Sequence, residues 1–118
     1  MSNFISLSQA VAMTSRYRKE MEAILAPEYR GKDILPICET FDRSSFDTLV
    51  GETDASFIRI YFGMGDDNKI RVIAVAANSK NIDILPADDN ALDDSGNIVE
   101  DGIRCPTNCP AASPLNPS

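Results

Sequence analysis

SFIRIYF (residues 56–62) is the stretch on which the fold turns. Its period is two: Ile58, Ile60 and Phe62 fall on one face, and Phe57, Arg59 and Tyr61 on the other, as in a strand. GMGDDN (residues 63–68) follows with turn chemistry. KIRVIAVAA (residues 69–77) is a second strand, apolar on both faces in its latter half. The two read as a hairpin whose second strand is the more central.

Upstream of the hairpin the period changes to that of a helix. Leu7, Ala10, Val11, Tyr17, Met21, Ile24 and Leu25 form one apolar stripe over residues 7–25. Ser6 with Gln9 is a capping-box pattern at its start, and Pro27 is its stop. Arg16–Glu20 and Arg18–Glu22 have the spacing to pair along the other face. A second helix is expected over residues 43–50. Asp42 would be its N-cap, Phe41 and Phe46 its hydrophobic staple, and Gly51 its left-handed end. Between the helices, residues 34–35 read as a short extended piece.

Downstream, IDIL (residues 82–85) reads as a short third strand ended by Pro86, and a last strand is expected over residues 98–104. The order α, α, β, β, β predicts an α+β fold: two N-terminal helices packed on a small, mainly antiparallel sheet of three to four strands. One domain is expected over residues 1–104. An extended Cys- and Pro-containing tail would occupy residues 105–118.

Composition excludes several function classes. The 118 residues contain no histidine, which removes imidazole acid–base catalysis, histidine-based triads and imidazole metal ligands. Net charge is −7, and the excess is local. Asp83, Asp88, Asp89, Asp93, Asp94, Glu100 and Asp101 lie within residues 81–103, where no lysine or arginine occurs. The rest of the chain is balanced, with no cationic groove for a nucleic acid. No apolar run reaches the length of a membrane span. The N-terminal residues lack the basic leader of a secretory signal. With an odd number of cysteines, this predicts a cytoplasmic protein with free thiols.

Residues 87–101, ADDNALDDSGNIVED, miss the register of an EF-hand: with Gly96 at the invariant glycine, the first ligand position is Ala91. A looser cation site would use Asp89, Asp93 and Asp94, but a solvated acidic loop is the expected state. The G-x-G of residues 63–65 leads into a strand and not a helix, and Asp66 and Asp67 would repel an anion, so a hairpin turn is expected there.

Cys105 and Cys109 are each followed by proline, which disfavours a helix, and their spacing is not that of a CxxC redox motif. Free thiols in a docked tail are expected. A disulfide and a metal site are the alternatives that make this pair the redox or metal candidates. Cys38, among apolar neighbours, is expected to be a small packing residue.

FISLSQAVAMTSRYR, ETFDRSSFDTL, IRIYFGM and RCPTNCPAASPL together resemble an uncharacterised family of small Bacteroidota proteins with a C-terminal RCPxxCP-type tail. The likeness spans nearly the whole chain. It implies a bacterial, cytoplasmic, single-domain protein and transfers no activity, cofactor, partner or site.

The functional expectation is a non-enzymatic interaction or regulatory module that self-associates and docks its tail. No catalytic residue and no cofactor are assigned. The interaction candidates are Arg16, Arg18 and Lys19 on the first helix and Phe57 and Tyr61 on the sheet. The expected partner is a second copy in a homodimer, or another protein, and neither a nucleic acid nor a membrane. The alternatives are a thiol-based redox or metal-binding protein using Cys105 and Cys109, and a small enzyme built on carboxylates such as Glu39 and Asp42.

Overall fold

A computed structural model describes residues 3–86, 98–100 and 102–117. The fold is α+β, with two helices and two antiparallel sheets. The long hairpin is present: β2 (Ala55–Met64) pairs with β3 (Ile70–Asn78) from Ala55↔Asn78 to Met64↔Ile70. Their turn is closed by Gly65 N–H to Lys69 O at 3.0 Å and by the Asp67 carboxylate accepting the Lys69 N–H at 3.0 Å.

β3 is the centre of the molecule, and its far edge is shared by four short segments. The N–H of Ile70 donates to Ile34 O at 2.7 Å, and that of Val72 to the Glu39 carboxylate at 2.7 Å. β4 (Ile98–Val99) pairs at Ala74 and Val75. Ile84 N–H reaches Ala76 O at 2.9 Å, and Asn78 N–H reaches Ile82 O at 2.8 Å. The expected IDIL strand is therefore reduced to one bridge, Ala77↔Asp83, because β4 occupies β3 at Ala74 and Val75 and β3 ends at Asn78. The expected last strand is split in two, β4 and β5 (Ile103–Cys105). β5 pairs with β1 (Cys38–Thr40) in a separate two-stranded sheet. The extended piece expected at residues 34–35 is displaced to β1.

α2 (Arg43–Val50) lies on β3. Leu49 is fully buried against Ala74 and Ala76, with Phe46, Ala55, Ile84 and Val99 around them. The alanines let the helix come close. Phe41 and Phe46 meet as the staple, with ring centroids 5.6 Å apart. Asp42 is the N-cap, but its side chain makes no cap hydrogen bond, and Gly51 ends the helix at φ −80° and not in the left-handed region.

α1 (Leu7–Glu20) begins at the expected capping box: Gln9 N–H donates to Ser6 Oγ at 3.1 Å and Ser6 N–H to Gln9 Oε1 at 2.9 Å. It ends one turn short of Leu25. Arg30 Nε donates to the carbonyls of Glu22 (3.1 Å) and Leu25 (3.0 Å), which holds residues 21–25 as turns. Nor does α1 lie on the sheet as expected. None of its residues is buried, and its ties run from Tyr17 Oη to Pro36 O and from Arg18 Nη1 to Leu115 O, each 2.5 Å. The tail, expected to be extended, starts inside β5 and folds back. Ser113 and Asn116 exchange backbone hydrogen bonds of 3.1 and 2.9 Å around Pro114 and Leu115, with Pro114 where a tight turn favours it.

Candidate functional site

β2 is an edge strand: β3 lies on one side, and among the described residues nothing pairs with the other. The direction of its free groups follows from β3. Ile70, Val72, Ala76 and Asn78 all turn their backbone groups away from β2. Backbone direction alternates along a strand, so Arg71, Ile73, Val75 and Ala77 face β2, where they oppose Gly63, Tyr61, Arg59 and Phe57. The N–H and C=O groups of Ile58, Ile60 and Phe62 therefore point out of the sheet.

Those three residues also carry apolar side chains on the α2 side. α2 covers Ala74 and Ala76 but does not reach far enough to cover them, so Phe62 is 75% exposed and Ile60 44%. On the opposite face Phe57 is 52% exposed. Apart from the irregularity between Ala55 and Phe57, this is a long, apolar edge of a kind rare on a monomer, because it is a template for pairing with another strand.

The one charge on β2 is held on that opposite face. Arg59 reaches across β3 to the carboxylate of Asp83 and the side-chain amide oxygen of Asn81. Tyr61 Oη donates to Asp83 Oδ2 at 2.5 Å. The buried Ala77, paired with both Phe57 and Asp83, leaves room for this crossing. The Tyr61 hydrogen bond, with help from Arg59, keeps the Asp83 carboxyl below the usual carboxylate range despite partial desolvation. The same bond to Asp83 pushes the Tyr61 phenol up.

A second cluster gathers all three cysteines. Cys105 and Cys109, expected as free thiols, form a disulfide with Cα atoms 4.5 Å apart. The two prolines that exclude a helix permit the tight loop this needs. Cys38 is free and half-buried, and in the β1–β5 register it is the partner of Cys105. It lines an apolar cavity of about 290 Å³ with Tyr17, Ile37, Pro110 and Leu115. The tail thus docks on its own chain. Burial pushes the Tyr17 phenol up.

The remaining candidates are dispersed. Arg16 and Lys19 are exposed on α1, away from Phe57 and Tyr61 on β2. Arg18, expected to pair with Glu22, donates instead to Leu115 O, while Glu22 accepts the Gly31 N–H at 2.5 Å. Glu39 is committed to Val72 and Asp42 is exposed. The loop residues Asp88, Asp89, Asp93, Asp94 and Asp101 lie outside the described residues. Among the described residues no group of three metal-ligating side chains is placed to hold a metal ion, and no helix is long and apolar enough to cross a membrane. The residue that sequence reasoning missed is Arg104. It is buried, and its guanidinium donates to the carbonyls of Asp33, Ile34, Ile70 and Pro106. Nothing in its local sequence separates it from a surface arginine.

No family model, curated protein or solved structure matches this chain.

Proposed function

We propose that this protein is a non-enzymatic interaction module that self-associates through β2, the tail remaining docked on its own chain. The observation that carries the reading is the free edge of β2, where outward backbone groups and exposed apolar side chains coincide at Ile58, Ile60 and Phe62. Main-chain pairing gives such an edge its affinity and side chains give it register.

A two-fold antiparallel pairing about Ile60 suits this strand. Ile60 meets Ile60 of the second copy and Ile58 meets Phe62. On the other face Arg59 meets Tyr61, and Phe57 meets Gly63, which leaves space for the ring. The ladder then runs from Phe57 to Gly63, the regular part of the strand beyond the irregularity at Ser56. Moving the axis to Arg59 sets two guanidinium groups against each other, which is unfavourable. Moving it to Tyr61 carries the pairing into the turn at Gly65 and Asp66. The axis at Ile60 gives a symmetric, closed dimer that leaves this edge covered.

The test uses light scattering at tens of micromolar protein. Ile60→Pro removes an N–H that β3 does not use, so the fold is expected to persist while the dimer dissociates. In a Cys38→Ser background, Ile60→Cys is expected to cross-link to itself on mild oxidation, since directly opposed residues lie within disulfide range. Phe62→Cys is expected to stay uncross-linked. A monomeric wild type, or a dimer untouched by Ile60→Pro, overturns the reading.

A further inference from the structure

The three cysteines meet at one end of the β1–β5 ribbon, and Cys105 is common to two pairs. It is bonded to Cys109, with the Cα atoms 4.5 Å apart, and it is the cross-strand partner of Cys38. Directly opposed residues on antiparallel strands send their side chains to the same face with Cα atoms about 4.5–5.5 Å apart. That separation lies inside the range of about 4.4–6.8 Å that a disulfide accepts. One buried sulfur therefore has two partners within bonding reach, and neither requires the strands to part. Cys38 also keeps an open side, because it borders the cavity beneath the docked tail.

We propose that these residues form an internal thiol–disulfide exchange relay. The Cys38 thiolate attacks Sγ of Cys105, and a Cys38–Cys105 bond forms as the Cys105–Cys109 bond breaks. The electron pair leaves on Cys109 Sγ, which takes up a proton equivalent to the one Cys38 gave up. The step is an isomerisation: one disulfide and one thiol are present before and after, and no outside oxidant or reductant enters. Before it, the disulfide closes a small loop and the free thiol lies under the tail. After it, β1 is bonded to β5, and the thiol appears at Cys109, which is exposed and adjoins Pro110 at the root of the docked tail. The relay moves a reactive thiol from a sheltered position to an accessible one, where a partner's disulfide or an oxidant can meet it. Attack needs the thiolate, so exchange quickens as pH rises towards the thiol range. This inference is independent of the β2 edge.

The test is alkylation trapping followed by non-reducing peptide mapping of the wild-type protein, held in a glutathione redox buffer between about pH 6 and pH 9. One alkylated cysteine per chain is expected, divided between Cys38 and Cys109, and the division should be reached faster at higher pH. Cys109→Ser is expected to form the Cys38–Cys105 disulfide in the same buffer and to leave no thiol. Cys38→Ser is expected to keep Cys105–Cys109 and to show no free thiol. Label confined to Cys38 at every pH overturns the relay. So does a wild type with three free thiols, or a folded Cys109→Ser protein that keeps both of its thiols.

Discussion

Glu39 on β1 and Arg104 on β5 are cross-strand partners, and each sends its side chain to the backbone of β3. Glu39 accepts the Val72 N–H at 2.7 Å, and Arg104 Nε donates to Ile70 O at 3.2 Å. The pair continues the hydrogen bonding of β3 where β4 is too short to do so, and joins the two sheets. Arg104 also satisfies Asp33 O and Ile34 O at 2.6 and 2.8 Å.

Arg104→Met is therefore expected to cost about 2–4 kcal/mol, because one buried and three partly buried carbonyls lose a charged donor at once. Arg104→Lys should recover only part of this, since one ammonium cannot span the same set of carbonyls. Urea denaturation measures both. A loss below about 1 kcal/mol for the methionine variant would show that water replaces the guanidinium.

Asp83 sets an acid-side dependence. Its carboxyl is depressed in the fold, chiefly by the Tyr61 hydrogen bond. The stability it contributes is thus complete above the ordinary carboxylate range and is lost as pH falls through the folded-state value. Tyr61→Phe should move the Asp83 titration upward, as read by carboxyl NMR. The variant should be less stable than wild type at neutral pH and converge with it in acid. Parallel stability curves at all pH values would rule this linkage out.

Gly102 has no room for a side chain. A Cβ there would lie 2.8 Å from Phe41 Cζ and 3.1 Å from Glu39 Oε1. Phe41 is held in turn by Phe46 in the staple of α2. Gly102→Ala is expected to cost about 1–3 kcal/mol through overpacking, seen as a lower denaturation midpoint. An unchanged midpoint would mean that the ring moves freely.

The two helix caps should respond differently. Ser6 makes both bonds of a capping box, whereas Asp42 makes no side-chain cap bond. Ser6→Ala is expected to weaken α1 by about 1 kcal/mol, read as faster amide exchange in its first turn. Asp42→Ala should change stability by less than about 0.5 kcal/mol. A larger effect at Asp42 than at Ser6 would reverse the assignment.

The local features of this protein are set by its sequence. The two-residue period of residues 56–62 makes a strand, Ser6 with Gln9 starts a helix, and Phe41 with Phe46 fixes the entry to α2. Each depends on residues within about one turn of each other, so spacing is enough. Even there, a distant side chain intervenes: Arg30 takes the carbonyls of Glu22 and Leu25, where the chain leaves α1 in a series of turns.

Only the tertiary structure decides which strand has a free side. The apolar run in the latter half of β3 already marks it as the more central strand, but the alternation in β2 is the same for an edge as for a centre, and its free side among the described residues follows from four remote segments all choosing β3. The same holds for Cys38 opposite Cys105 and for Glu39 opposite Arg104. These partners are far apart in the chain, and no periodicity links them. Their meeting is fixed by the register of β1 on β5, which arises only when buried backbone groups along the whole molecule find partners together.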